Sequence, residues 1–134
     1  MNLSDLDQPY QRLGIVTTRE IIDENEDIVE RFMMAITESI AEIKNDPDGT
    51  RAVMARYMLL DEEEHKQALD DVYEGLVDQY IEVTPYPTLE GIKFDLKRLE
   101  LENPNATNFS AEDMIDNRFV ESLEKNGFIS SLYE

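Results

Sequence analysis

The sequence predicts a mostly α-helical chain, with five or six helices and one short strand. Three observations carry this. Apolar residues recur at spacings of three and four along most of the 134 positions, the period of a helix with one covered face. Capping and turn residues stand where those runs would start and stop. Only one run has the β-branched composition of a strand.

Residues 1–12 are polar and read as a loop or frayed arm, leaving 13–134 as one helical domain. Leu13-Gly-Ile-Val-Thr-Thr18 is the strand candidate. Asp23 or Asn25 is placed to cap a long helix over Asp27–Lys44, whose stripe is Val29, Phe32, Met33, Ile36, Ile40 and Ile43. Asn45-Asp-Pro-Asp-Gly49 stops it with turn chemistry. A second helix, Thr50–Leu60, carries Val53, Met54, Tyr57 and Met58. Asp61 reads as the N-cap of a third, with Glu62, Glu63 and Glu64 in the turn where the helix dipole favours negative charge. Its stripe is Leu69, Val72, Tyr73, Leu76, Val77 and Tyr80. Val83–Pro87 must be extended, since Pro85 and Pro87 each remove a donor and push the preceding residue out of helix. Thr88 caps a fourth helix with stripe Leu89, Ile92, Leu96 and Leu99. Asn103-Pro-Asn-Ala106 is a turn, and Ser110-Ala-Glu-Asp113 has the capping-box spacing that opens the last helical region. There an amphipathic helix ends at Gly127, and Phe128, Ile129, Leu132 and Tyr133 fold back behind it. The strand has no second strand to pair with, so its backbone groups call for a partner beyond it.

Composition removes several function classes. A net charge of −19, from 31 acidic against 12 basic residues, repels phosphate backbones and anionic lipid, so neither nucleic acid nor membrane insertion is expected. No apolar run approaches the ~18 residues of a membrane span. There is no cysteine, hence no disulfide, thiolate metal site or cysteine nucleophile. Met1–Pro9 lacks the basic and apolar regions of a signal peptide, so the chain as written is expected to stay in the cytoplasm.

No catalytic constellation stands out. The one histidine, His65, follows Glu62 at the Glu-x-x-His spacing of di-iron bundles, but such sites need that motif twice. Asp46-Pro-Asp-Gly49 fails as a calcium loop, because aligning its glycine puts Lys44 at the first ligand position and Ala55 at the bidentate one. With His65 the only imidazole, serine and threonine nucleophiles lack a base. No catalytic residue, metal site or cofactor is therefore expected. Asn105-Ala-Thr107 and Asn108-Phe-Ser110 match glycosylation acceptors without a secretory signal. Tyr57, Tyr73 and Tyr80 sit on helical stripes and read as core, whereas Tyr86 is held off-helix between two prolines. Arg118, two residues after Asp116, can take an anion or pair with nearby carboxylates.

Five segments in order carry a resemblance: Gly14-Ile-Val-Thr-Thr-Arg19, Asn25-Glu-Asp-Ile-Val-Glu-Arg-Phe32, Ala52-Val-Met-Ala-Arg-Tyr57, Pro85-Tyr-Pro-Thr-Leu-Glu-Gly91 and Asp116-Asn-Arg-Phe-Val-Glu-Ser-Leu-Glu-Lys-Asn-Gly-Phe-Ile129. Together they resemble the C-terminal part of ABC-importer substrate-binding proteins of the nitrate, sulfonate, taurine and thiamine-pyrimidine-precursor family. The resemblance implies the C-terminal portion of a two-lobed α/β periplasmic-binding-protein fold, with the first lobe and most of the second missing. It implies a non-catalytic component that binds a small-molecule solute when the missing lobe is supplied, with a permease as a further partner. It places Thr17, Thr18 and Tyr86 facing the cleft, and would put the full-length protein in the periplasm or at the cell surface. Apolar residues that packed on the lost sheet would favour a homo-oligomer. The alternative is a stand-alone helical interaction module that self-associates and has lost transport.

Overall fold

A computed structural model describes residue 11 and residues 13–134. Among the described residues seven α-helices follow one another: α1 (Arg19–Glu24), α2 (Glu26–Asn45), α3 (Pro47–Met58), α4 (Lys66–Gln79), α5 (Leu89–Glu100), α6 (Arg118–Lys125) and α7 (Phe128–Ser131), with short 3-10 turns at Pro104–Asn108 and Glu112–Met114. Helix accounts for 68% of the described residues, so the mostly α class holds.

The strand does not form. Leu13–Thr18 runs without regular structure, with Leu13, Ile15 and Val16 exposed. A strand exists only through the ladder it shares with a neighbour, and none of the described residues offers one. β-branched composition alone was insufficient.

The chain divides into two compact units. One takes the chain through Glu24 together with Tyr86–Arg118; the other is Asn25–Pro85 with Phe119–Glu134.

In the second unit α3 packs on both α2 and α4. Asp46 accepts the Gly49 N–H at 2.9 Å, and Pro47 takes the first helical position, where its missing donor costs nothing. The last turn of α2 is closed by side chains from its neighbours: the Ile43 carbonyl accepts the Tyr73 hydroxyl at 3.0 Å and the Thr50 hydroxyl at 3.3 Å. Lys44 Nζ donates to the Val77 carbonyl at 3.3 Å, and Asn45 Nδ2 to the Leu132 carbonyl at 2.9 Å. Buried in this unit are Thr37, Ala41, Ala55, Leu69, Tyr73, Phe119, Val120, Leu123 and Ile129. Tyr73 is core as expected, but Tyr57, on α3, and Tyr80, just past the end of α4, are exposed. Gly127 closes α6 with φ 79°, the left-handed region that turns the chain so that Ile129 is buried.

Two glycines give opposite expectations here. At Gly75, inside α4, an added Cβ meets no atom within 4 Å, so Gly75→Ala should raise stability by about 0.5–1 kcal/mol. At Gly127 the positive φ penalises any Cβ, and Gly127→Ala should lose about 1 kcal/mol. Thermal unfolding of the two variants checks both signs.

The first unit is built differently. α5 packs on the Pro104–Asn108 turn, and the fully covered residues are Gly91, Ala106 and Ala111, all small. Ser110 Oγ accepts the Asp113 N–H at 3.2 Å, the first bond of the capping box its spacing predicts, and donates to Asp113 Oδ2 at 2.7 Å, a side-chain bond in place of the carboxylate-to-backbone one, and only a 3-10 turn follows. Leu99, Leu101, Phe109 and Met114 stay exposed. Small buried residues and large exposed ones leave this unit with little apolar burial to hold it.

Candidate functional site

The three nominated residues, Thr17, Thr18 and Tyr86, all belong to the first unit. Thr17 and Thr18 are exposed on the segment leading into α1. Thr18 caps that helix: its Oγ1 accepts the Ile21 N–H at 3.3 Å and its carbonyl accepts the Ile22 N–H at 3.2 Å. Tyr86 is half-buried in the extended stretch before α5.

Gln11 organises the surroundings. Its Oε1 accepts both the Thr88 N–H, at 2.9 Å, and the Thr88 hydroxyl, at 3.1 Å. Its Nε2 donates to the Leu13 carbonyl at 2.6 Å, and its backbone N–H donates to Asp95 Oδ2 at 3.2 Å. One glutamine thus ties the segment carrying the threonines to the start of α5, two residues after Tyr86. Thr17 and Thr18 share no hydrogen bond with Tyr86, so the three are neighbours in one unit rather than a bonded cluster. Nothing in the sequence singles out Gln11, a polar residue at the edge of a polar arm. Only the fold gives it four bonds.

Three cations of this unit are engaged. Arg118 grips Asp116 with one edge of its guanidinium, Nη2 to Oδ2 at 2.8 Å and Nε to Oδ1 at 3.0 Å. Arg19 donates to the Asp113 carbonyl, and Lys93 meets Glu112 at 2.8 Å. The Arg118 hydrogen bonds hold the Asp116 carboxyl below its usual value, with Arg19 adding to the effect. Because its folded pKa lies below its unfolded one, this contribution is complete above the ordinary carboxylate range and vanishes as pH falls through the folded value. A carbon-detected NMR titration should therefore find Asp116 ionising at lower pH than exposed aspartates, and Arg118→Gln should return it to the ordinary range.

A groove of about 210 Å³ runs along α5, lined by Asp95, Arg98, Leu99 and Glu102. Ligand sites span roughly 300–1,000 Å³ and are mostly apolar, so a smaller groove with three charged walls fits one side chain better than a solute. None of the nominated residues lines it.

In the second unit, His65 precedes α4 and its Nδ1 lies 3.0 Å from the Asp61 carbonyl, a local contact. Among the described residues no group of three or more histidines and carboxylates is arranged to hold a metal ion. Asp46 spends its carboxylate on capping α3. Asn105 and Asn108 are exposed on the 3-10 turn Pro104–Asn108. None of the described helices is long and apolar enough to cross a membrane.

The family described as NMT1/THI5 like matches residues 1–50. It is a family of substrate-binding proteins, generally non-enzymatic. The NMT1/THI5-like match takes in Gly14–Arg19 and Asn25–Phe32, two of the five segments behind the resemblance, and with them Thr17 and Thr18. Tyr86 lies outside it. The match runs through α1 and α2 and stops inside α3, so it coincides with neither compact unit. Comparison with curated proteins and with solved structures returned no match.

Proposed function

We propose that this chain is a non-catalytic, solute-binding part of an importer's substrate-binding protein. The observation that carries the reading is the NMT1/THI5-like match over residues 1–50, which contains the Thr17–Thr18 segment. Two exposed hydroxyls and a half-buried phenol suit a small polar solute of the nitrate, sulfonate, taurine or pyrimidine-precursor kind. Gln11 fixes the segment on which the hydroxyls stand. The thinly cored first unit, with Leu13, Val16, Leu101 and Phe109 exposed, is completed by the remaining lobe of such a protein. Docking to a permease then belongs to the assembled protein.

The test is calorimetric titration and thermal shift, on the chain reunited with the remaining lobe, with nitrate, taurine, an alkyl sulfonate and a thiamine pyrimidine precursor. Ligand at a hundredfold excess over its Kd should stabilise the folded state by about 2.7 kcal/mol. One of these solutes should raise Tm, and the gain should vanish in Thr17→Ala/Thr18→Ala and in Tyr86→Ala. No shift with any of the four would overturn the reading. It would favour instead a helical interaction module, which the exposed side chains at the end of α3 also suit.

A further inference from the structure

The second unit carries an exposed apolar turn at the end of α3 that its own packing does not explain. α3 closes on Leu59 in the left-handed conformation, φ 56° and ψ 39°, where helices commonly place glycine. The Leu60 N–H donates to the Ala55 carbonyl at 2.9 Å and the Leu59 N–H to the Arg56 carbonyl at 3.4 Å. Glycine would complete this closure without a strained Cβ. The Leu59 side chain is 92% exposed, so contacts within the chain do not offset the strain. Residues held in such conformations gather where function requires them.

The surroundings point to what Leu59 meets. Tyr57 is 79% exposed, and Val53, one turn earlier on the same face, is half exposed, as is Met58. Gly49–Leu60 contains no acidic residue although the chain holds 31, and the Arg56 guanidinium lies 5.8 Å from the centre of the Tyr57 ring. Directly afterwards come Asp61, Glu62, Glu63 and Glu64, all exposed. That turn is fixed: Asp61 Oδ1 accepts the Glu64 N–H at 3.0 Å, and the Asp61 carbonyl accepts the His65 N–H at 3.1 Å. Along the sequence the order is cation, apolar residues, carboxylates. Leu59 stands midway, with Arg56 and Glu62 equally spaced on either side.

Such an order is complementary to itself. Two copies related by a two-fold axis at Leu59 bring Arg56 of each against Asp61–Glu64 of the other, with Tyr57, Met58 and Leu59 of both between them. An isologous contact has this property, residue i meeting j while j meets i. The parallel arrangement sets like charge on like and is disfavoured. We infer that Val53–Glu64 is a homodimer contact centred on Leu59, the occupant being a second copy of this chain. Standard interfaces use about 20–30 residues a side, so this smaller one is weak, with Kd on the order of micromolar or above.

Sedimentation velocity across the micromolar range tests it. The weight-average mass should rise from monomer towards dimer with concentration. Arg56→Glu and the pair Glu62→Arg/Glu63→Arg should each weaken association about tenfold or more, and the combined charge swap should restore it. Leu59→Gly should lower association while raising Tm, a combination that a purely structural leucine would not give. A monomer at every concentration overturns the inference. So does association that survives Leu59→Gly and Arg56→Glu, or that disappears only in Val16→Lys, which would place pairing at Leu13–Thr18 instead.

Discussion

Replacing Leu69 with alanine is expected to remove about 3 kcal/mol of stability, seen as a lower urea midpoint at unchanged slope. Leu69 lies on α4 and is 1% exposed, among the largest fully buried side chains of the described residues. Truncation loses the transfer free energy of the removed carbons and leaves a cavity that the helices around it can close only in part. Domains of this size have only about 5–15 kcal/mol in total, so the change is a large share. Val72 on the same helix, half exposed, is the control, and Val72→Ala should cost under about 1 kcal/mol. Equal losses at the two positions would contradict the assignment of the core.

Tyr73→Ala should cost about 3 kcal/mol or more, and Tyr73→Phe well under half of that. The ring is buried, and it also stacks under the Arg51 guanidinium at 5.3 Å. Alanine loses both. Phenylalanine keeps them and loses only the hydroxyl that donates to the Ile43 carbonyl. That carbonyl retains the Thr50 hydroxyl, so no acceptor is stranded and the loss should fall near about 0.5–1 kcal/mol. Arg51 keeps its ion pair with Asp70 at 3.2 Å in either variant, which limits the damage on its side. The two midpoints, measured together, separate ring from hydroxyl.

Where the sequence was legible, the reason is local. α2 runs within one residue at each end of the expected Asp27–Lys44, because its period and its stop are both written in neighbouring residues. α5 starts after Thr88 as expected. α3 begins three residues earlier than its expected start at Thr50, since Asp46-Pro47, read as a stop, is equally an N-cap followed by proline at the first helical position. α4 begins later, at Lys66: Asp61 does accept the Glu64 N–H, but the turn it caps does not continue directly into the helix. α1 was missed, although Thr18 carried the capping signal for it.

Non-local facts were not legible. Pairing of Leu13–Thr18 depends on residues far away in sequence, and composition cannot supply them. The fully covered residues of α2 are Thr37 and Ala41, beside rather than on the apolar stripe, because burial at those two positions favours small side chains that periodicity overlooks. Of the candidate site, the three nominated residues could be picked by family likeness and by the stiffness of Pro85–Pro87. The glutamine that anchors their segment could not, since the partners that tie it to α5, Thr88 and Asp95, are more than seventy residues away.

The chain passes between its two compact units at residues 24–25, 85–86 and 118–119, so each unit is woven from two separate stretches. No single cut separates one unit from the other. A break after Pro85 would give fragments 1–85 and 86–134, each holding part of both units. Neither fragment would then fold alone, and mixing them would rebuild both units in one bimolecular step.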